Sequence, residues 1–204
     1  DSGGCEMSED KVFRKIAVIF VTDVVNFSTL METNEELTLK NLRACRQILD
    51  NLFKEHSGRI FNTAGDSVLA EFHSAVSSVI CASEFQKLIS QRNDSVSPSE
   101  QLTFRIGINM GDVVVEGTNL YGEGVNVAAR LEALCKPGGV CLSNNVHDFV
   151  KQKVELSFSD LGSQQVKNTT VRAFEVVGSD GKTLSAPAGS VKDVQKTEAS
   201  KPPT

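Results

Sequence analysis

Two aspartates stand where an apolar run meets a turn. Asp23 follows the apolar residues 16–22, and Asp66 lies between residues 61–65 and residues 67–72. Two carboxylates brought together at strand ends can hold two divalent cations, which can clamp the attacking and leaving oxygens of a displacement at phosphorus. The alternative is that both are turn or capping aspartates, which are common. The pair therefore predicts metal-dependent nucleotide chemistry.

The surrounding pattern predicts the elements that position these aspartates. Continuous apolar runs predict buried strands, apolar residues at helical spacing predict helices, and turn residues between two strand-like runs predict hairpins. Strands and helices interleave, but several neighbouring strands are hairpins, which favours an α+β sandwich with a mostly antiparallel sheet. The predicted strands are 15–23, 59–63, 67–72, 102–109, 112–116 (split from 102–109 by Gly111), 140–143, 153–160 and 171–177. The predicted helices are 34–56, 74–92, 121–135 and 144–150, with a loop over 93–100.

Composition limits the class of protein. The chain has 204 residues, 40% of them hydrophobic, and we expect one domain over 13–178. We expect a flexible arm over 1–12, and the Ser, Lys, Ala, Thr and Pro content of 179–204 predicts a disordered tail or linker. A net charge of −5 argues against a general nucleic-acid binder.

The cysteines and the hydropathy pattern predict a compartment. Five cysteines without a CxxC pair are typical of a reduced cytosolic protein. No apolar run approaches the roughly 20 residues of a membrane span, and no signal peptide is evident. We therefore expect a cytoplasmic domain.

Four sequence blocks, in this order, resemble the class III nucleotide cyclase catalytic domain over about residues 13–178. They are Phe20-Val21-Thr22-Asp23-Val24-Val25-Asn26-Phe27-Ser28; Asn62-Thr63-Ala64-Gly65-Asp66; Arg105-Ile106-Gly107-Ile108-Asn109-Met110-Gly111 with Tyr121-Gly122-Glu123-Gly124-Val125-Asn126-Val127-Ala128-Ala129-Arg130-Leu131-Glu132; and Asp160-Leu161-Gly162 with Val166-Lys167-Asn168. The resemblance implies a ferredoxin-like α+β fold and a homodimer with active sites at the subunit interface. It also implies cyclisation of a nucleoside triphosphate with release of pyrophosphate.

The resemblance also implies roles for particular residues. Two Mg²⁺ or Mn²⁺ ions per site would be held by Asp23, Asp66 and the backbone carbonyl of Val24. The triphosphate would be wrapped by a turn made of Val24, Val25, Asn26, Phe27 and Ser28. Asn126 would orient the ribose, Arg130 would meet the α-phosphate, and Lys167 would meet charge developing in the transition state. Asn126 and Arg130 are four residues apart on a predicted helix, so they share one face. The alternatives are that this is an ordinary exposed helix face and that Lys167 is an ordinary surface lysine.

The base-selecting positions depart from the family pattern. Adenylyl cyclases typically pair a lysine with an aspartate there, and guanylyl cyclases a glutamate with a cysteine or serine, whereas this chain has Asn62 and Asn119. An asparagine amide can donate or accept a hydrogen bond, so it can read either base. Because the first asparagine resembles some bacterial adenylyl cyclases, we predict an adenylyl cyclase acting on ATP.

Other assignments stay open. A guanylyl cyclase, or a cyclase with relaxed base choice acting on GTP, is the alternative enzyme. A regulatory pseudo-cyclase that only binds nucleotide is the non-enzyme alternative. We also expect a regulatory domain elsewhere in a longer protein and no nucleic-acid partner.

Overall fold

A computed structural model describes residues 12–178. The predicted arm, apart from Val12, and the predicted tail over 179–204 lie outside the described residues. The predicted α+β fold with a mostly antiparallel sheet is confirmed. The strands are β1 (Phe13–Val24), β2 (Gly58–Ala64), β3 (Ser67–Phe72), β4 (Phe104–Glu116), β5 (Asn119–Tyr121), β6 (Val140–Ser143), β7 (Ser157–Val166) and β8 (Thr169–Val177). The helices are α1 (Phe27–Thr33), α2 (Glu35–His56), α3 (Ala75–Ser95), α4 (Glu123–Leu134) and α5 (Asn144–Val150), with a 3-10 turn at Pro98–Glu100.

The sheet order brings the starts of two neighbouring strands to the carboxyl end of β1. Within residues 12–178 the strands form one sheet in the order β2-β3-β1-β4-β6-β8-β7, and β5 pairs with β4. All neighbours are antiparallel except β4 and β6. Because β3 and β4 both run opposite to β1, the starts of β3 and β4 meet the carboxyl end of β1.

The central strand β1 is buried on both faces, which its continuous apolar run predicts. Phe20 faces α2, α3 and α5, where its ring packs against Phe53 and Phe72 at centroid distances of 5.3 and 5.7 Å. Ile19 and Val21 point to the opposite face, in a second apolar cluster that includes residues of α4. The end of β1 is therefore held from both sides of the sheet.

The predicted strand break at Gly111 is wrong. β4 runs through this residue, and Gly111 pairs with Ala17 of β1 in continuous register. A Cβ at Gly111 would lie 3.2 Å from Asn109 Nδ2 and 3.5 Å from Gly124 Cα. A side chain here would press on the Asn109 amide and only touch α4, so the glycine lies inside the strand and does not mark a turn.

Other elements also differ from the predictions, beginning with strand β5 (Asn119–Tyr121), whose three residues are too few to show an alternating pattern. Helix α1 is not predicted from the sequence because its seven residues are too short a run to establish helical spacing, although Phe27 and Leu30 pack partly buried against the core. Helix α3 continues to Ser95, so the predicted loop over 93–100 begins later. Strand β7 covers Ser157–Val166 instead of 153–160; it is an edge strand with mostly exposed or half-buried residues, so its pattern is weak.

A buried ion cluster gives a testable prediction for stability. The Glu71 side chain is 7% exposed and contacts Lys15 and Arg59, the latter at 2.7 Å. Burial alone would raise the pKa of Glu71, but hydrogen bonds and charge from Lys15 and Arg59 outweigh it and hold the pKa below its usual value. Replacing Glu71 by glutamine is expected to lower the free energy of unfolding by about 2 kcal/mol at pH 7, since charge-assisted hydrogen bonds are lost.

The pH dependence of this effect has a defined sign. A carboxyl group with a depressed folded-state pKa stabilises the fold above its unfolded pKa, and this contribution disappears as pH falls through the folded-state pKa. Urea unfolding of wild-type and Glu71→Gln protein should therefore converge below about pH 4. A stability difference that stays constant down to pH 3 would contradict the assignment.

Candidate active site

Asp23 and Asp66 come together at the carboxyl end of β1. Asp23 is the penultimate residue of that strand, and Asp66 lies in the turn between β2 and β3. The backbone N–H of Val24 donates to Asp66 Oδ2 at 2.8 Å. Pairing of β1 with β3 through Thr22 and Val68 brings the turn to this point. Both carboxylates are therefore fixed at one end of the sheet.

The turn that follows β1 is held by backbone contacts. The N–H of Val25 donates to the carbonyl of Thr103 at 2.8 Å. Asn26 adopts a left-handed conformation with φ of 56°, which asparagine tolerates better than most residues. Phe27 and Ser28 are the first residues of α1, so the proposed triphosphate turn is a strand-to-helix connection.

Arg105 also faces this end of β1, although the sequence did not single it out as a site residue. It pairs directly across the sheet with Asp23, and its Nη2 lies 3.4 Å from both Asp23 carboxylate oxygens. Its Nε lies 3.3 Å from Glu132 Oε1 on α4. An arginine inside the apolar run of β4 is the only sequence signal that points to it.

Glu132 lies beside this pair and is 8% exposed. Burial raises the pKa of Glu132 most, and the hydrogen bond to Asp23 and the charge of Asp23 raise it further. The charge of Arg105 lowers it, and the resulting pKa is about 9. Although Glu132 is within ion-pair distance of Arg105, the two do not meet with hydrogen-bond geometry. Burial beside Asp23 thus favours the uncharged form of Glu132.

Helix α4 presents Asn126 and Arg130 on its exposed face. Val125, Val127 and Ala128 point to the core from the same turns. Among residues 12–178, neither the Asn126 nor the Arg130 side chain makes a hydrogen bond or an ion pair. Both remain available to a ligand or to a second chain.

Helix α4 packs directly against β4 at Gly107. A Cβ on Gly107 would lie 2.3 Å from the carbonyl oxygen of Ala128 and 2.3 Å from the N atom of Glu132. Such distances do not occur between nonbonded atoms, so only glycine fits here without moving the helix. Asn109, two residues along, donates from Nδ2 to the carbonyl of Gly124 at 2.9 Å.

Lys167 lies at the tip of the β7–β8 hairpin. It has a φ of 48°, and its carbonyl accepts a hydrogen bond from Gln165 at 2.8 Å. Thr169 Oγ1 donates to Glu123 Oε1 at 2.9 Å, which ties the hairpin to the start of α4. Lys167 therefore belongs to the same part of the surface as Asn126 and Arg130.

Asn62 and Asn119 lie on neighbouring elements. Asn62 is exposed on β2, next to an irregularity in the pairing with β3. Asn119 on β5 accepts from the N–H of Leu120 at 2.9 Å and donates to Tyr121 Oη at 3.0 Å. Arg59 links the two elements by donating to the carbonyl of Thr118 at 2.7 Å.

The oxygen atoms at the end of β1 fit a hard divalent cation. The Asp23 side chain is 21% exposed and Asp66 is half-buried, so both are accessible. Ionised carboxylates and a carbonyl offer only acceptor oxygens, which Mg²⁺ and Mn²⁺ prefer. The site thus has the donor set that the resemblance implies.

A cavity of about 360 Å³ lies next to the N-terminal end of α4, and none of the predicted residues lines it. Among the predicted residues, Asn126, Arg130 and Lys167 are exposed, Asp23 and Asp66 are half-buried, and Val24 is buried. Their roles in catalysis stay predictions.

Comparison with known proteins identifies similar domains. A profile of the adenylate and guanylate cyclase catalytic domain matches residues 9–179. The protein named "Putative adenylate cyclase 3" of Rhizobium meliloti (strain 1021) is 40% identical over 163 residues, which are 79% of this chain and 28% of that protein. This chain therefore spans less than a third of that relative.

Comparison with solved structures also identifies similar domains. The adenylate/guanylate cyclase/hydrolase from Silicibacter pomeroyi is 38% identical, with a TM-score of 0.76 over 81% of this chain and 98% of that chain. The adenylyl cyclase CyaB from P. aeruginosa is 22% identical, with a TM-score of 0.71 over 82% of this chain and 96% of that chain, and shares the fold.

Proposed function

Because the chain belongs to the adenylate and guanylate cyclase catalytic domain family, we propose that it converts ATP to 3′,5′-cyclic AMP and pyrophosphate. The main structural support is the convergence of Asp23 and Asp66, held by the hydrogen bond from Val24. The relative from Rhizobium meliloti and the structure from Silicibacter pomeroyi carry cyclase names, which supports the same reaction class.

Domains of this family generally depend on divalent metal. Asp23, Asp66 and the Val24 carbonyl would hold two Mg²⁺ or Mn²⁺ ions. When bound, such ions supply Lewis acidity to the ribose 3′-hydroxyl and neutralise charge on the triphosphate. The chain's own contribution is to fix the two carboxylates, because the Val24 N–H and the β1–β3 pairing hold them in place.

The remaining roles fall to side chains on α4 and the β7–β8 hairpin. Asn126 would orient the ribose by hydrogen bonding. Arg130 would donate to α-phosphate oxygens, which a guanidinium can do bidentately. Lys167 would meet the negative charge that develops in the transition state. The Thr169–Glu123 hydrogen bond keeps this lysine beside α4.

We propose that two copies of the chain assemble head to tail. The predicted residues form two groups: the carboxylate group (Asp23 and Asp66) and the helix–hairpin group (Asn126, Arg130 and Lys167). The carboxylate group is half-buried but accessible, and the helix–hairpin group is exposed, with side chains that have no partners among the described residues. Each group would complete the other across a homodimer interface, giving two sites per dimer.

The base choice is proposed as adenine, with guanine as the alternative. Either asparagine can donate or accept, so Asn62 and Asn119 do not exclude GTP. The test is product formation from ATP and from GTP in separate reactions with Mn²⁺ and Mg²⁺, over a range of protein concentrations. Cyclic AMP that rises faster than linearly with protein is the expected result, and cyclic GMP would support the alternative. Nucleotide binding with no product from either would support the regulatory pseudo-cyclase.

A double substitution tests the base-selecting positions. Asn62→Lys with Asn119→Asp is expected to raise the preference for ATP over GTP by about tenfold, which corresponds to one added hydrogen bond. Lysine donates to adenine N1 and aspartate accepts from the adenine amino group, whereas both clash with the reversed pattern of guanine. The measurement is kcat/KM for each nucleotide, with the exposed Asn51→Lys as control. An unchanged ratio would place these residues away from the base.

The cellular location of the domain and the presence of a regulatory domain in a longer protein are also proposals. No helix within residues 12–178 is both long and apolar enough to cross a bilayer. The ATP substrate and the buried free cysteines Cys45, Cys81, Cys135 and Cys141 favour the cytoplasm. A regulatory domain elsewhere in a longer protein accords with the greater length of the Rhizobium meliloti relative.

A further inference from the structure

Arg105 contacts Asp23 symmetrically but loosely. Its Nη2 is 3.4 Å from each carboxylate oxygen. A strong hydrogen bond between a guanidinium and a carboxylate measures about 2.7–2.9 Å. The guanidinium therefore offsets the charge of Asp23 without closing on either oxygen.

Other contacts anchor Arg105 independently of Asp23. Its Nη1 donates to the carbonyl of Ala133 at 3.4 Å, and its Nε lies 3.3 Å from Glu132 on α4. The backbone of the same residue is also fixed, because its carbonyl accepts from Thr22 Oγ1 at 2.8 Å. When the contact with Asp23 is broken, the hydrogen bond to Ala133 still holds the guanidinium near that carboxylate.

We propose that Arg105 competes with the divalent cation for Asp23 and so lowers the metal affinity of the nucleotide-free protein. This inference rests on the proposed function, because it requires Asp23 to be a metal ligand. The guanidinium faces the same two oxygens that would ligate the metal. Arg105 is thus a positioning residue: its guanidinium faces the Asp23 carboxylate while the metal is absent and must be displaced from it when the metal binds.

Direct metal binding provides the test. Mn²⁺ affinity is measured without nucleotide, from the electron paramagnetic resonance signal of the free ion. Arg105→Gln is expected to bind Mn²⁺ about tenfold more tightly, because the metal no longer has to displace the guanidinium from Asp23, a contact worth about 1.4 kcal/mol. Arg105→Lys keeps the charge and should stay close to the wild type. Arg172→Gln, which breaks the exposed pair with Asp160, is the matched control and should have no effect.

A double-mutant cycle separates competition at Asp23 from a general charge effect. In an Asp23→Asn background, Arg105→Gln should no longer change the residual Mn²⁺ affinity. An equal gain in both backgrounds would overturn the proposal, as would an unchanged or weaker affinity in folded Arg105→Gln protein. If the glutamine variant does not fold, Arg105→Met, which keeps most of the aliphatic stem, takes its place with the same expectations.

The readout separates this inference from the proposed reaction. Mn²⁺ binding is measured without turnover, so a protein that forms no cyclic nucleotide can still give the expected affinity changes. If Asp23→Asn leaves Mn²⁺ affinity unchanged, the metal site itself is wrongly placed and the competition fails with it. If Mn²⁺ binding depends on Asp23 but not on Arg105, the metal site stands and only the competition is overturned.

Discussion

Replacing Asp23 or Asp66 by asparagine is expected to reduce cyclic nucleotide formation by about a thousandfold or more. The loss of several kcal/mol of metal-derived transition-state stabilisation corresponds to a change of this size. Asparagine keeps the shape of the side chain but removes the charge that a hard cation requires. The measurement is cyclic AMP produced from ATP with Mn²⁺ at saturating nucleotide.

A matched substitution distinguishes this effect from a loss of net charge. Asp94→Asn removes one exposed carboxylate on α3 and should leave turnover unchanged. Circular dichroism and thermal unfolding should show that both site variants remain folded. Substantial turnover in folded Asp23→Asn or Asp66→Asn protein would exclude this carboxylate pair as the metal site.

Mixing two inactive variants is expected to restore activity. If each site takes its carboxylates from one chain and its lysine from the other, a dimer of Asp23→Asn with Lys167→Gln has one intact site and one doubly damaged site. Random re-association would give about a quarter of wild-type activity, because half of the dimers are mixed and each has one working site. The measurement is cyclic AMP formation before and after joint unfolding and refolding of the two proteins.

The control for this experiment uses two variants from the same group of residues. A mixture of Asp23→Asn with Asp66→Asn should stay inactive, since every site then has a damaged carboxylate pair. Recovery in this control, or no recovery in the first mixture when mixed dimers are shown to form, would contradict a site shared between subunits in this way.

The sequence predicted those parts of the molecule that depend on local pattern. The apolar run that ends at Asp23 predicts a buried strand, and β1 is buried on both faces. Helical spacing predicts α2 and α4 closely, because their buried residues recur on one face. Such patterns are local, so they can be recognised in the sequence without knowing which strands pair.

Contacts between distant segments could not be predicted in the same way. Arg105 faces Asp23 only because β1 and β4, which are 82 residues apart at this pair, meet in one particular register. The pattern at Gly111 predicts a turn, whereas pairing with Ala17 of β1 keeps this residue inside β4, and local pattern does not record that pairing. The division of the proposed site between two subunits likewise depends on tertiary and quaternary structure.

Gly107 sets the distance between helix α4 and the sheet. Atoms of α4 occupy the position that a Cβ at residue 107 would need. The helix can therefore lie this close to the sheet only because residue 107 is glycine. Alanine at this position would touch no substrate and remove no functional group. It would nevertheless displace Asn126 and Arg130 relative to β1 and its aspartates. In the proposed dimer, the alignment of ribose and phosphate would therefore depend on a residue that has no side chain.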